Sequence, residues 1–205
     1  MTYQFTYRNI TQALYLSLNH EPFYLVMERS VSTDPVVGQE AMLKYFDYSM
    51  KEGQKYGELY IPEGGSFGAS VWSKPTDGTL AKQIFREKKT FIRQHLGEAS
   101  LRKYTDIIEF MSARAKEIVP YGSWYLSILG IAPQFQGQGL GGTLVKPILD
   151  KADTLGVPSY LETFTPRNKN FYKRLGYQEA SFFVEPVTGS EYWIMIREPL
   201  AGTTL

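Results

Sequence analysis

A strand, a glycine-rich loop and a helix follow one another between residues 123 and 155, and this succession limits the fold more than any other feature. Residues 123–133 (SWYLSILGIAP) carry apolar side chains on both faces of the predicted strand, as a central strand requires. Residues 134–142 (QFQGQGLGG) contain four glycines and lead directly into a helical apolar stripe. Free N–H groups and the positive end of a helix dipole meet at such a junction, so the sequence predicts an anion site there.

The glycine loop also raises the possibility of NAD binding. Gly137, Gly139 and Gly142 match G-x-G-x-x-G, and Glu162 lies 20 residues after Gly142, where a ribose-binding carboxylate is expected. However, too few residues follow the motif to build a second mononucleotide-binding half, and the flanking strands look mixed rather than repeatedly parallel. A tight turn without any ligand leaves the number of glycines unexplained. We therefore favour a phosphate other than that of NAD.

The remaining elements follow from apolar periodicity and turn residues. Alternation predicts a strand at residues 2–7, and Asn9 or Thr11 is a candidate N-cap for a helix that ends near residue 19. The other predicted elements are a helix through residues 42–50, antiparallel strands at 57–62 and 68–73, two amphipathic helices in 77–119 with a break at Gly97, a helix from Leu140 to Leu155 bent by Pro147, a strand at 157–164, a helix at 166–175, and strands near 178–184 and 191–197. This order predicts an α/β (α+β) fold in one domain, residues 1–205. The two helices in 77–119 either cover the sheet, which we favour, or present a partner-binding surface.

The composition excludes several classes of function. The chain has no cysteine, so it forms no disulfide, no zinc-thiolate site and no cysteine nucleophile. A net charge of +1 gives no bulk attraction to nucleic acid or to anionic membranes. The two histidines, His20 and His95, are far apart in sequence, so no metal site is predicted. The N-terminus lacks the pattern of a signal peptide and no apolar stretch is long enough to cross a bilayer, so we expect a cytoplasmic protein without a membrane or nucleic-acid partner.

Two segments resemble the GNAT superfamily of N-acetyltransferases, and they occur in the order found in that superfamily. The pattern Gln134-x-x-Gly137-x-Gly139, directly after the strand that ends at Pro133, resembles its acetyl-CoA pyrophosphate loop. The second motif is represented by Asn168, Phe171, Tyr172, Leu175, Gly176 and Tyr177. Residues 123–199 further resemble the puromycin N-acetyltransferases, through PQFQGQGLGGTLVKP, GVPSYLET and PRNKNFYKRLGY, whereas the N-terminal half resembles them only loosely. The chain is identified as a member of the superfamily.

The resemblance implies a mixed sheet flanked by helices, in which the fourth and fifth strands, residues 123–132 and 157–164, splay apart. Residues 77–119 are then a helical insertion before the fourth strand, and residues 123–177 form the acetyl-CoA-binding core. The pantetheine arm would enter the V-shaped opening and pair with free backbone groups near Leu129 and Ile131. The implied acetyl-CoA-binding residues are Leu129, Gly130, Ile131, Gln134, Gln136, Gly137, Gln138, Gly139, Leu140, Gly141, Asn168, Phe171 and Tyr172. Three cations either bind the further phosphate of the nucleotide or are solvated, namely Arg167, Lys169 and Lys173.

Two side chains are the candidate catalytic groups. The resemblance places Tyr172 as the general acid toward the CoA sulfur, and a phenol is still protonated at neutral pH. Glu162, at the end of its strand, is the first choice for the base that deprotonates the acceptor amine, and the alternative is that it caps a loop or pairs with Arg167. The N–H of Leu129 is the candidate donor to the oxyanion. Three further carboxylates border the acceptor region and leave that choice open: Glu21, Glu28 and Asp34.

The sequence thus predicts an acetyl-CoA-dependent N-acetyltransferase without a metal, acting on the primary amine of a small molecule. Direct attack in a ternary complex is favoured because no cysteine is present to carry the acetyl group. The C-terminal resemblance makes a puromycin-like aminonucleoside, and hence antibiotic resistance, one candidate. The alternatives are an acyl-CoA-binding sensor without turnover and an enzyme that acetylates protein amines. The aromatic residues that indicate either a small-molecule pocket or ordinary core packing are Tyr24, Phe46, Tyr48 and Trp72.

Overall fold

A six-stranded mixed sheet organises the protein in the computed structural model, which describes residues 2–200. Its strands are β1 (Glu58–Tyr60), β2 (Gly68–Ser73), β3 (Trp124–Ile131), β4 (Ser159–Thr163), β5 (Gln178–Glu185) and β6 (Ser190–Arg197), in the order β1-β2-β3-β4-β6-β5. Within the described residues, β3 and β4 are the one parallel pair. The predicted mixed sheet is confirmed, and this arrangement lacks the repeated parallel strands that a dinucleotide fold needs.

Seven α-helices within residues 2–200 cover the two faces of the sheet. They are α1 (Arg8–Leu18), α2 (Pro22–Arg29), α3 (Pro35–Tyr56), α4 (Gly78–Leu96), α5 (Glu98–Ile118), α6 (Leu140–Thr154) and α7 (Lys169–Arg174). One core cluster joins helices α1 to α5 to the sheet, and a second joins α6 and α7 to its opposite face. In β6, Tyr192 and Ile194 belong to the first cluster whereas Trp193 and Met195 belong to the second, because successive strand side chains point to opposite faces. No helix in residues 2–200 has the length and apolarity to span a membrane.

The N-terminal segment is the clearest error of the sequence-based prediction. Residues 2–7 form no strand. Instead, the carboxylate of the fully buried Asp47 accepts hydrogen bonds from the backbone N–H groups of Thr6 (2.9 Å) and Tyr7 (2.7 Å) and from the hydroxyl of Tyr3 (2.8 Å). A side chain thus satisfies the donors that a neighbouring strand would have satisfied. The diverging strands predicted as fourth and fifth are therefore the third and fourth in the chain.

Two further differences concern the N-terminal helices. Helix α1 begins at Arg8, so Asn9 and Thr11 lie inside it rather than at its cap. Helix α2 was not predicted, although Pro22 at its first position is a recognised start signal. The predicted break at Gly97 is confirmed, since this residue ends α4 and precedes α5 with a φ of 89°. Helix α6 continues through Pro147.

A β-bulge in β3 produces the opening in the sheet. Along β2 and β3, Trp72 pairs with Leu126 and Val71 with Ile128, so Ser127 is one extra residue in β3. The parallel ladder to β4 ends at Leu126, immediately before this extra residue. A bulge bends its strand and increases its local twist. Beyond residue 126, β3 therefore separates from β4, as the predicted splay requires.

Candidate active site

At the open edge of β3, the backbone groups of Ile131 have hydrogen-bond partners, whereas Leu129 has no partner on β4. The N–H of Ala132 donates to the carbonyl of Phe67 on the β2 side (2.7 Å), so Ile131 and Leu129 face the opposite edge. The N–H of Ile131 donates to Ser17 Oγ (3.2 Å), and its carbonyl accepts from the Gln136 side-chain amide (2.9 Å). Leu129 has no ladder partner on β4. The expectation of free backbone groups thus fits Leu129 and is wrong for Ile131.

The glycine loop between β3 and α6 is exposed throughout residues 133–139. Gly137 and Gly139 have φ values of 76° and 77°, which only glycine adopts without strain. Gly139 is the N-cap of α6 and offers no side chain, so the first N–H groups of the helix stay available for an anion. A Cβ on Gly141 would lie 2.7 Å from the ring of Phe171, which explains how α6 approaches α7 so closely.

A cavity of about 600 Å³ lies beside this loop. Every residue of the predicted acetyl-CoA set lines it except Gln134 and Gln138, and these two lie in the exposed loop itself. Gln138 donates through its amide to the carbonyl of Gln134 (3.0 Å), which stabilises the loop from within. The cavity and the loop therefore gather the predicted residues at one site.

Tyr172 and its neighbours on α7 form one wall of this cavity. Phe171 and Tyr172 pack edge to face with ring centroids 5.2 Å apart, and Asn168 is the N-cap of the helix. Tyr172 is 9% exposed, and burial, with the nearby Glu21 carboxylate, raises the pKa of its phenol well above the ordinary value. The hydroxyl consequently remains a proton donor across the physiological range.

A second cavity, of about 390 Å³, lies between the sheet and helices α2 to α5. Glu162 lines it, and its Oε1 atom is buried without a hydrogen-bond partner. Burial raises the pKa of this carboxyl from 4.5 to about 7, and a hydrogen bond from Tyr125 partly opposes the shift. Within residues 2–200 Glu162 forms no ion pair, and Arg167 instead contacts His20. A carboxyl group that is partly ionised near neutral pH is suited to accept a proton.

The two cavities meet. Five residues line both of them: Leu18, Glu21, Leu129, Asn168 and Tyr172. The two cavities therefore adjoin at these residues, which we call the junction.

Glu21 is the carboxylate at the junction that the sequence did not single out. It is 8% exposed, occupies the N-cap position of α2 without a capping hydrogen bond from its side chain, and accepts a hydrogen bond from the hydroxyl of Thr165. The other two N-terminal candidates lie elsewhere, since Glu28 accepts from the Tyr15 hydroxyl (2.8 Å) and Asp34 caps α3. The signal for Glu21 was Pro22, which marks the start of a helix and so places its preceding residue at a cap.

The basic candidates separate in a similar way. Arg167 lines the larger cavity, with Nη2 3.0 Å from His20 Nε2. Lys169 and Lys173 both bind Glu179, at 3.2 and 2.6 Å, and line neither cavity. Arg174 also lines the larger cavity and was missed, because a single arginine in a charged helix has no distinguishing pattern.

The aromatic candidates divide evenly between cavity and core. Tyr24 and Trp72 line the smaller cavity. Phe46 is fully buried in the core, and Tyr48 stacks on Phe91 with centroids 4.2 Å apart.

Two adjoining cavities thus lie on a mixed α/β fold. Residues 69–177, more than half of the 205 residues, match the acetyltransferase (GNAT) family, and the chain therefore belongs to this family. It is also similar to an uncharacterized N-acetyltransferase of Schizosaccharomyces pombe, with 29% identity over 148 residues. The match covers 69% of this chain and 60% of that relative, so the chain spans about three fifths of the relative's length.

Several solved acetyltransferases share the fold. One structure, from Corynebacterium glutamicum, is described as histone acetyltransferase HPA2 and related acetyltransferase. It has a TM-score of 0.67 and 18% identity, and the match covers 97% of this chain and 93% of that one. An arylalkylamine N-acetyltransferase 2 from Aedes aegypti gives 0.62 and 15%, with coverage of 95% and 94%. A Drosophila melanogaster polyamine N-acetyltransferase that forms N-acetylagmatine gives 0.59 and 16%, with 93% of each chain covered. The puromycin N-acetyltransferase resemblance of the C-terminal half stays a prediction.

Proposed function

We propose that the protein transfers the acetyl group of acetyl-CoA to the primary amine of a small molecule, with residues 1–205 acting as one acetyltransferase domain. The observation that carries the proposal is the junction of the two cavities at Leu129, Asn168 and Tyr172. A thioester in the larger cavity and an amine in the smaller one would meet there. Direct transfer needs this arrangement and no covalent enzyme intermediate.

Acetyl-CoA fits the larger cavity by its charge and its shape. A pyrophosphate needs local neutralisation in a chain of net charge +1, and the uncapped N-terminus of α6 offers oriented N–H groups for it. Arg167 and Arg174 line the same cavity and add side-chain charge. The pantetheine arm would run along the open edge of β3 and pair with Leu129. Pairing at Ile131 as well would require the Ser17 and Gln136 contacts to open.

The reaction begins with the removal of a proton from the acceptor. A primary ammonium ion has a pKa near 10, so the reactive neutral amine forms only when a base takes its proton. Glu162 lines the acceptor cavity with a buried, unpaired oxygen and is our first choice for this base. Glu21, at the junction, is the second.

Transfer then follows at the junction. The amine nitrogen attacks the thioester carbonyl, a C–N bond forms, and the oxygen gains negative charge that the N–H of Leu129 would stabilise. Collapse breaks the C–S bond. The thiolate takes a proton from Tyr172, which its raised pKa has kept protonated until then, and the phenolate so formed takes the second proton of the nitrogen.

The acceptor is a small molecule in this proposal because three helices enclose the smaller cavity. Residues of α3, α4 and α5 line it, which leaves little room for a protein segment. Solved structures of the same fold include enzymes named for polyamine, agmatine and arylalkylamine substrates, which supports the same broad class. A puromycin-like aminonucleoside is one candidate within it, supported by the resemblance of residues 123–199.

The first experiment measures free-thiol release from acetyl-CoA by the purified protein. The panel contains puromycin, aromatic amines, aliphatic amines and a peptide amine, and a thermal-shift series compares acetyl-CoA with NAD. We expect acetyl-CoA to raise the Tm and NAD to leave it unchanged. We also expect turnover with at least one small amine. Stabilisation by NAD alone would contradict the loop assignment. Tight acetyl-CoA binding without any turnover would favour the sensor alternative.

A further inference from the structure

The wall that α3 and α4 form in the smaller cavity holds a polar cluster that the transfer reaction does not use. It consists of Ser49 and Glu52 on α3 and Lys88 on α4, and we call it the distal polar cluster. The ammonium of Lys88 donates to Ser49 Oγ (2.7 Å) and to Glu52 Oε2 (3.0 Å). All three residues line the same cavity as Glu162.

Lys88 is fully engaged by its surroundings. It is 6% exposed, and its ammonium lies 4.7 Å from the ring centroid of Tyr45 and 5.0 Å from that of Tyr48. Burial favours the neutral amine, but the Glu52 carboxylate outweighs this effect and raises the pKa of Lys88 above its ordinary value. The pair is therefore a cation and an anion whose charges cancel.

Glu52 has one oxygen left over. Its Oε1 is buried and has no hydrogen-bond partner, and the same is true of Oε1 of Glu162. Both carboxylates line this one cavity. A buried acceptor without a partner costs free energy, so each oxygen should take a hydrogen bond from water or from a ligand in the cavity. One such donor is the amine that meets Glu162.

We propose that the distal polar cluster is a second recognition site for the acceptor and binds an uncharged O–H or N–H donor at the end remote from the amine. The inference rests on the proposed function. An uncharged donor fits because Lys88 already neutralises Glu52, and a second ammonium would lie close to the Lys88 charge. Tyr45, Phe85 and Tyr104 line the same cavity and would pack against an apolar or aromatic body of the acceptor. The substrate class is thus a hydroxylated or amide-bearing aromatic or alkyl amine rather than a polyamine.

The test compares matched acceptors in steady-state thiol release. Tyramine is set against phenethylamine. Amino alcohols of about four to eight carbons, which span the size of such a pocket, are set against monoamines and diamines of equal length. We expect a KM about 10-fold lower for the hydroxylated member of the best pair, and no comparable gain for diamines. Equal KM values throughout, or a preference for diamines, would overturn the inference while leaving acetyl transfer intact.

Glu52→Gln tests the cluster directly. Its amide oxygen can still accept from Lys88, but the position of the free acceptor then carries an NH₂ donor. We expect the KM preference for the hydroxylated amine to disappear, with little change in kcat. Glu87→Gln is the matched control, since Glu87 is the neighbouring residue of Lys88 on α4 but lines neither cavity. If Glu52→Gln fails to fold, the charge-free pair Glu52→Gln with Lys88→Met replaces it, with the same expected loss.

A second readout separates this inference from the proposed function. The Tm of the protein is measured with the same amines in the absence of acetyl-CoA. Stabilisation by tyramine over phenethylamine that Glu52→Gln abolishes would support the cluster even if no amine were acetylated. Turnover without any hydroxyl preference would refute the cluster alone. The absence of both turnover and selective stabilisation would refute the cluster and the proposed function together.

Discussion

At the scale of single residues, burial acts on Glu162 and Tyr172 in the same direction but serves opposite purposes. It raises the pKa of the carboxyl to about 7, which allows proton uptake near neutral pH. It raises the pKa of the phenol well above its ordinary value, so the phenol is protonated when the thiolate departs. A single physical cause, desolvation, thus separates a base from an acid on opposite sides of the proposed reaction.

Tyr172→Phe tests the acid. It keeps the ring contacts with Phe171 and Tyr177 and removes only the hydroxyl. We expect kcat to fall roughly 100-fold while the Kd for acetyl-CoA stays unchanged, because proton transfer is lost and binding is not. Tyr177→Phe is the control, since this tyrosine lines neither cavity and its hydroxyl accepts from Ser159 (3.0 Å). It should lower Tm but not the turnover of folded protein, and full activity in Tyr172→Phe would exclude the phenol as the acid.

Glu162→Gln tests the base through pH. The parent rate should rise with pH through about 7 as Glu162 ionises, and the variant should lose that limb of the kcat/KM profile. Glu21→Gln is measured in parallel, and transfer of the effect to that variant would identify Glu21 as the base. An unchanged profile in both would mean that neither carboxylate takes the proton.

The same substitution has an expected effect on stability. The folded pKa of Glu162, about 7, lies above its ordinary value of 4.5, so the unfolded chain releases the proton first as pH rises. The free energy of unfolding of the parent therefore falls between about pH 4.5 and 7, by roughly 3 kcal/mol. Glu162→Gln should gain stability relative to the parent across this window and stay level above it. Urea titrations at several pH values measure the difference, and a pH-independent difference would contradict the raised pKa.

At the scale of elements, local sequence predicted most of the fold because its signals were strong. The apolar stripes of α5 and α6 and the turn residues around β3 and β4 agree with the tertiary structure. Residues 2–7 failed because alternation reports a half-buried surface, while the partner of their backbone, Asp47, is 40 residues away in sequence. The bulge at Ser127 has no local signal at all, since it depends on the register with β2.

The loop offers a prediction at this scale. Gly139→Ala forces a φ of 77° on a residue with a Cβ, so we expect a loss of about 1 kcal/mol in stability and weaker acetyl-CoA binding. Gly156→Ala is the matched control, because Gly156 has a φ of 64° and open space around it but lines neither cavity. Both variants should lose similar stability, whereas calorimetric titration should show reduced acetyl-CoA affinity only for Gly139→Ala. Equal affinities in the two would argue against the loop as the pyrophosphate site.

At the scale of the whole molecule, the site lies where separate parts of the chain meet. The motifs placed Tyr172, Asn168 and the glycine loop together in advance because all come from one continuous stretch of the sequence. The smaller cavity was less accessible to prediction, since Glu21 precedes α2, Lys88 lies on α4 and Tyr104 on α5, and no motif encodes the packing of these helices. The helices of residues 77–119, predicted to cover the sheet, line this cavity as well.

The joined cavities predict the kinetic order. Both substrates must be bound at once, so double-reciprocal plots of rate against acetyl-CoA at several amine concentrations should intersect. Parallel lines, together with acetyl group retained on the protein after gel filtration, would indicate a covalent intermediate and contradict direct attack. The assay needs only the wild-type chain, which contains no cysteine to complicate thiol detection.

The extra residue in β3, Ser127, distinguishes an open sheet from a closed one by the number of residues in a single strand. Trp124 and Leu126 face α6 and α7, Ile128 faces the other layer, and Leu129 faces α6 and α7 again. Without Ser127 the strand would alternate regularly, and all the remaining side chains would stay on their present faces of the sheet. A chain one residue shorter would therefore still satisfy its core while losing the gap that admits a ligand. The presence of one residue in β3 therefore decides whether β3 and β4 leave an opening between them.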